Sequence, residues 1–313
     1  MSNLTNEIEY INAMASERPE EFIARCETRY RNIITDVVKK ICDGEGRKVV
    51  MLAGPSSSGK TTTANKIVDG INAQGAKAYV LSLDDFYKNR DTLPILPDGT
   101  RDFETVYALD LDYFEIVIKS LMEGRKTCIP KFDFVSGSRL DSDYNEICLD
   151  ENDIVVIEGL HALNPLILNH IDCTAIKIYI NVSSRIYNER QKIILNKRNM
   201  RFVRRLVRDY QFRGSSADNT FALWKNVTYG EDKYLFPFKE NADIRINTVH
   251  LYEPCVLKHI ALDLLNNSDI SDNYEYDRQR LCSSLEKFVD IDPSLVPQDS
   301  LLCEFLGKGD ANG

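Results

Sequence analysis

Hydrophobic positions along the chain follow two rhythms. Between Ile8 and Ile41 they recur at helical spacing among charged residues (Ile8, Ile11, Phe22, Ile23, Tyr30, Ile33, Ile34, Val37, Val38, Ile41). That spacing predicts two helices broken near Pro19. Lys48–Ala53 (KVVMLA) is instead an almost unbroken apolar run, as expected of a strand covered on both faces of a parallel sheet. The helical rhythm returns over Thr61–Ile71, with Ala64, Ile67, Val68 and Ile71 on one side. Strand-like runs follow at Ala78–Leu83, Ile154–Ile157 and Ile176–Ile180, with helical stretches between them. Such alternation predicts a layered α/β fold around a mostly parallel sheet. Residues 1–44 read as a helical N-terminal extension, 45–270 as the main domain, and 271–313 as a helical tail packed on it. In the tail, helical patterns fall at Arg280–Val289 and Leu301–Leu306.

Composition narrows the class. The 313 residues carry 39 Lys+Arg against 48 Asp+Glu, a net charge of −9, and 43% are hydrophobic. This is the balance of a globular chain, not a disordered one. No run of 18 apolar residues occurs, so no membrane helix is expected, and MSNLTNEIEY lacks the features of a signal peptide. An acidic surface disfavours nucleic acid and anionic membrane as partners. The expectation is a soluble cytoplasmic protein acting on a small molecule, with homo-oligomer formation left open. The eight cysteines form no C-x-x-C and the four histidines no H-E-x-x-H, so zinc chemistry is disfavoured and the thiols read as reduced small hydrophobes.

The strongest chemical signal follows the first strand. Gly54-Pro55-Ser56-Ser57-Ser58-Gly59-Lys60-Thr61 matches G-x-x-x-x-G-K-[ST] and leads through Thr62 into a helix. Small residues let backbone N–H groups curl round phosphate oxygens, Lys60 reaches the β- and γ-phosphates, and the Thr61 hydroxyl can ligate Mg²⁺. The helix that follows aims its positive end at the same anion. This is a nucleotide-phosphate loop, and ATP with Mg²⁺ is the expected ligand. GTP is demoted, because neither Asn65-Lys66 nor Asn196-Lys197 is followed two residues later by Asp.

Two acidic elements stand where strands end. In DIVVIEG, Glu158 closes a buried strand at the edge where open α/β sheets bind ligands, a place for a carboxylate near Mg²⁺. In LSLDDFY, alternation lets only one carboxylate of the Asp84–Asp85 pair face the site; Asp84 reads as the group that orients and deprotonates an acceptor hydroxyl, and Asp85 as its solvated or capping neighbour. From Arg185 to Arg213 ten basic residues face two acids, a local +8 that leaves −17 elsewhere. Helical stepping puts Arg198, Arg201, Arg204, Arg205 and Arg208 on one arc and Phe202, Val203, Leu206 and Val207 opposite. A purely guanidinium arc reads as a lid over ATP phosphates. His161 reads as a structural histidine and Trp224 as a packing anchor.

Together these elements, from Val49 to Asp243, resemble the uridine kinase/phosphoribulokinase superfamily, in its bacterial-type uridine kinase-like branch. The resemblance implies a P-loop NTPase fold, three-layer α/β/α, with an arginine-rich lid and helical N- and C-terminal extensions. It makes Asp84 the catalytic carboxylate and places Tyr87 near the nucleoside. FETVYALD resembles the stretch ending in a ribose-binding aspartate, which implies that role for Asp110. Ile129–Arg139 resembles the hairpin over the base, which brings in Phe132 and Arg139. The lid match puts Arg205 toward the ribose and Arg208 and Arg213 toward the phosphates, with Thr61, Asp84 and Glu158 around Mg²⁺. Where uridine–cytidine kinases carry Tyr and His in the hairpin, this chain has Phe132 and Gly137. The implied activity is ATP-dependent phosphorylation of the 5′-hydroxyl of uridine or cytidine. Two alternatives remain open: a kinase of the same fold for another nucleoside, a sugar phosphate or a pantothenate-like alcohol, and a non-catalytic ATP-binding or RNA-associated module.

Overall fold

A computed structural model of the chain describes residues 4–43, 48–95, 99, 101–134, 136–140, 145–171 and 174–307, with the side chain of Lys48 excepted. Five strands form one parallel sheet: β1 (Lys48–Ala53), β2 (Ala78–Ser82), β3 (Ile154–Gly159), β4 (Ala175–Asn181) and β5 (Ile244–Asn247), in the order β5-β4-β1-β3-β2. The core follows the two-residue period of a strand. Val50 and Leu52 of β1, Val156 of β3 and Ile178 and Ile180 of β4 face one cluster. Val49 and Met51, Val155 and Ile157, and Tyr179 face the other.

The helices are α1 (Ile8–Glu17), α2 (Pro19–Cys42), α3 (Lys60–Ala73), α4 (Leu111–Met122), α5 (Pro165–Leu168), α6 (Lys197–Arg213), α7 (Ala217–Tyr234), α8 (Glu253–Asn267), α9 (Glu275–Leu285) and α10 (Cys303–Leu306). Arg18 separates α1 from α2, and Pro19 opens α2 at a position where a missing N–H costs nothing. A single apolar cluster runs through α1, α2, α3, α6, α8, α9 and the closing segment Leu301–Leu306. Both chain ends therefore share the core of the nucleotide-binding layer. The boundary expected at 44/45 lies outside the described residues.

Several expectations shift. β5 was not legible, because exposed Arg245 interrupts its apolar run at the sheet edge. The helix expected at Arg280–Val289 is Glu275–Leu285, and the closing helix starts only at Cys303. No disulfide joins the seven described cysteines, of which Cys128 and Cys148 are exposed; Cys173 lies outside the described residues. Among the described residues no helix is long and apolar enough to cross a membrane.

Candidate active site

The loop between β1 and α3 is shaped by backbone constraint. Gly59 caps α3 at φ +84°, and Ser57 takes a left-handed φ of +57°. A Cβ at Gly54 would lie 2.8 Å from the Ile180 carbonyl oxygen, so no other residue fits there without moving the strand. Three successive carbonyls are held from outside the loop. Ser56 O accepts from Arg201 Nη1 (3.0 Å), Ser57 O from Arg204 Nη1 (3.3 Å), and Ser58 O from Thr248 Oγ1 (2.8 Å). A trans peptide points its N–H opposite its C=O. The amides of Ser57, Ser58 and Gly59 are thereby turned the other way; that of Ser58 closes on Pro55 O at 3.2 Å. Lys60 Nζ rests 3.5 Å from Pro55 O, over the loop. Thr62, expected to face nucleotide, donates to Glu304 Oε2 of the C-terminal segment at 2.6 Å.

At the sheet's carboxyl edge, register sets Ser82 of β2 beside Glu158 of β3. Glu158 Oε1 accepts from Thr61 Oγ1 (3.2 Å) and Ser82 Oγ (2.9 Å), while buried Oε2 has no hydrogen-bond partner. Burial raises this carboxyl to about 7 against the pull of Lys60, and the Asp84 charge adds to the rise. A carboxylate with one oxygen unmatched, a threonine hydroxyl and a second carboxylate nearby are hard oxygen donors that fit Mg²⁺ completed by phosphate and water. Ser82 carried no sequence signal beyond its place at a strand end.

Asp84 lies on the turn after β2, its N–H donating to Ser82 Oγ at 3.3 Å. Its charge is felt by Asp85, Tyr87, Glu104, Glu158 and Arg213, which places it at the centre of the site. Asp85 is not the solvated neighbour expected from the sequence: its Oδ1 accepts the Phe132 N–H at 3.1 Å, tying the hairpin to the turn, and burial raises it to about 6. Tyr87 is buried and donates to Phe103 O at 3.0 Å. Its ring stands 6.2 Å from Phe103, 5.6 Å from Phe132 and 6.1 Å from Phe134.

Asp110 and Arg139 come together, but mainly with each other. Arg139 Nη2 donates to Asp110 Oδ2 at 3.2 Å, and Asp110 Oδ1 accepts from Tyr113 N at 3.2 Å, capping α4. The carboxyl that feels the charges of Lys60, Asp84 and Arg205 is Glu104, six residues earlier. Burial raises it to about 8, with Arg205 and Lys60 opposing and Glu231 and Asp84 adding. A Cβ at Gly230 would lie 2.3 Å from Glu104 Cβ, so α7 closes over it. The only sequence signal for Glu104 is a lone carboxylate between Phe103 and Val106.

The arginine arc of α6 divides in two. Arg201 and Arg204 are buried struts, 3% and 0% exposed, paired with Glu231 of α7 and Glu253 of α8. Both faces of α6 are therefore packed, and the arc is not an open lid surface along its length. Arg205, Arg208 and Arg213 share a single buried carboxylate, Asp209, at 3.1, 2.7 and 3.7 Å. Three guanidiniums on one carboxylate leave positive charge in excess, a setting that suits an anion. Arg208 and burial lower Arg213 to about 10, still a cation at neutral pH. Arg205 also donates to Ser56 Oγ at 2.9 Å, which sets it beside the phosphate loop in this state. Asp209, counted only as an acid in the sequence, is the hub of this cluster.

His161 is buried, and burial lowers it to about 4 against a backbone hydrogen bond with Glu104, so the ring is neutral. Trp224 packs edge-on to Phe202 at 5.5 Å, with Arg201 5.3 Å from its ring, as an anchor between α6 and α7.

A glycine-bounded phosphate loop between a parallel strand and a helix, with an acidic strand end beside it, defines a P-loop nucleotide-binding site. The model of the Phosphoribulokinase / Uridine kinase family matches residues 49–253, and the chain belongs to that family. A uridine kinase of Staphylococcus aureus (strain JH9) is 29% identical over 199 residues, 63% of this chain and 86% of that protein. The crystal structure of a putative fructose transport system kinase from Silicibacter sp. TM1040 superposes with a TM-score of 0.50 at 20% identity. The match covers 68% of this chain and 98% of the other, a likeness of fold. The protein is an ATP-dependent kinase.

Proposed function

We propose that this kinase phosphorylates the 5′-hydroxyl of a nucleoside, uridine or cytidine. The observation that carries this reading is the position of Asp84, one turn from four clustered aromatic rings: Tyr87, Phe103, Phe132 and Phe134. Ring faces suit a planar base, and the neighbouring carboxylate suits the hydroxyl to be phosphorylated. Asp84 accepts the proton of that hydroxyl as its oxygen attacks the γ-phosphorus and ADP departs. Lys60 and the loop amides hold the β- and γ-phosphates, while Arg208 and Arg213 balance charge on the transferring group. Glu104 and Arg205 stand where the sugar hydroxyls would lie. Thr61 and Glu158, with Asp84 beside them, would hold Mg²⁺, which neutralises phosphate charge when bound.

The terminal segments are read as parts of the kinase unit, since they share its core. The test is ADP release with Mg-ATP against uridine, cytidine, adenosine, inosine, ribose, a sugar phosphate and pantothenate. Stimulation by pyrimidine nucleosides supports the reading. Stimulation by only a sugar phosphate or pantothenate overturns it and leaves the kinase assignment standing.

A further inference from the structure

The three arginines that share Asp209 are not held alike. Arg208 gives both Nε and Nη2 to Asp209 Oδ1, at 2.9 and 2.7 Å. Arg205 has Asp209 at 3.1 Å and Ser56 Oγ at 2.9 Å. Arg213 stands 3.7 Å from the same carboxylate, and its side chain makes no hydrogen bond to a described residue. It is the last residue of α6, followed by Gly214 in the left-handed region, so no further turn of helix supports it. Its second contact comes from the hairpin. Arg213 Cζ lies 5.7 Å from the centroid of the Phe134 ring, within the range of a cation–π interaction. Phe134 is itself fixed: its ring meets Phe132 edge-on at 5.2 Å and Tyr87 at 6.1 Å, and its carbonyl accepts from Arg90 Nη2 at 3.0 Å. The hairpin is tied in turn to the residue after Asp84, since Asp85 Oδ1 accepts the Phe132 N–H. A continuous set of contacts therefore runs from the turn that carries Asp84, through Phe132 and Phe134, to the guanidinium at the end of α6.

Arg213 is within electrostatic reach of the site while it rests on the ring: after Arg208 and burial, the charge of Asp84 is among those that act on it. We infer that Phe134 is a positioning residue for phosphoryl transfer, its ring holding Arg213 in register with Asp84. The cation for the transferring group and the carboxylate for the acceptor hydroxyl are then placed by one hairpin. This rests on the role proposed above for Arg213, and not on which hydroxyl compound is the acceptor. A guanidinium with only a loose carboxylate contact samples many rotamers, and an aromatic ring against it narrows that set before the phosphates arrive. Charge that develops in a transition state is stabilised best by groups already in place. A cation–π contact corresponds to about twofold to thirtyfold in rate.

The experiment measures kcat, KM for ATP and KM for the acceptor in the full chain and in Phe134→Leu, Phe134→Trp, Arg213→Gln and the double variant Phe134→Leu/Arg213→Gln. Uridine is the acceptor, replaced by the most active compound of the panel above if uridine is not turned over. Phe134→Leu should lower kcat by about twofold to thirtyfold at unchanged KM for ATP. Phe134→Trp should restore kcat, because a ring again meets the cation. In the Arg213→Gln background the same Leu substitution should leave kcat where it is, since a residue that acts through Arg213 has nothing left to position. Unchanged kcat in Phe134→Leu, with or without a raised KM for the acceptor, overturns the inference and leaves the role of Arg213 intact. An equal loss of kcat with and without Arg213 does the same. Near-normal kcat in Arg213→Gln removes the phosphate role of Arg213 and the inference with it. Phe134 is 46% exposed, so its replacement does not empty the core.

Discussion

Arg201 and Glu231 form a buried two-pronged pair, 2.6 Å from Nη1 to Oε1 and 2.8 Å from Nη2 to Oε2, and each partner also grips the same residue of the phosphate loop. Arg201 binds Ser56 O at 3.0 Å, and Glu231 Oε1 accepts Ser56 N–H at 2.8 Å. One ion pair thus fixes both ends of a loop residue while linking α6 to α7. Arg204 repeats the device one turn on, joining Glu253 to Ser57 O and to Thr248 O. The loop's shape is held by these struts as much as by its glycines.

Replacing Arg201 by Met should therefore destabilise the fold by about 3–5 kcal/mol, because Glu231 would be left buried and unpaired. The double variant Arg201→Met/Glu231→Leu should regain most of that stability while KM for ATP stays raised, since neither tie to Ser56 returns. Denaturant unfolding read beside ATP kinetics checks this. Recovery of ATP affinity in the double variant would show that the pair does not position the loop.

The C-terminal segment supports the same loop. Leu301 is fully buried, and its Cδ1 would stand 2.6 Å from a Cβ at Gly59. Phe305 lies beneath Arg204, whose Cζ is 5.0 Å from its ring, and Glu304 holds Thr62. Leu301→Ala should cost about 2–5 kcal/mol and also raise KM for ATP, as the loop gains room behind Gly59. A stability loss with unchanged KM would separate the tail from nucleotide binding.

The parts of the site legible in the sequence are those that local chemistry dictates. The phosphate loop needs its glycines and lysine contiguous, and Asp84 and Glu158 each end an apolar strand, so spacing alone reveals them. Glu231 and Glu253 are different. Each matters because a distant helix brings it against an arginine of α6, and no helical wheel of α6 contains residues of α7 or α8. The same blind spot turned Arg201 and Arg204 into lid residues. Asp209 lies on α6 itself, at i,i+4 spacing from Arg205 and Arg213, so that part of the cluster follows from helical spacing alone. Glu104 has no comparable local signal: only the fold shows that it shares its electrostatic surroundings with Lys60, Asp84 and Arg205, while Asp110 caps α4 and pairs with Arg139.

Asp84→Asn should lower kcat by about 10²–10⁴ while ATP still binds, because a positioned general base contributes on that scale. Lys60→Ala should lose nucleotide binding as well. Rapid-quench turnover beside direct ATP titration separates the two, and near-normal kcat in Asp84→Asn would remove that carboxylate from the proton transfer.

The buried carboxyls also predict how stability varies with pH. Glu158 and Glu104 have pKa values of about 7 and about 8, raised from 4.5 first of all by burial. Between the unfolded value and these folded values, the native state binds more protons than the unfolded chain. Their contribution is therefore complete below the unfolded pKa and is lost as pH rises through the folded ones. Glu27 runs the other way. It is held to about 2 despite burial, chiefly by His250, and its contribution fades only as pH falls below the ordinary carboxylate range. The melting temperature of the ligand-free protein should consequently fall as pH rises from about 5 to about 8. Glu158→Gln should reduce that slope up to about pH 7, and Glu104→Gln should reduce it across the whole window to about pH 8. Mg-ATP should flatten the Glu158 portion, because a metal ion takes the place of the proton on that carboxylate. A melting temperature that climbs across this window in the wild type, or a slope unaltered by both substitutions, would show that these two carboxyls are ionised at neutral pH without ligand.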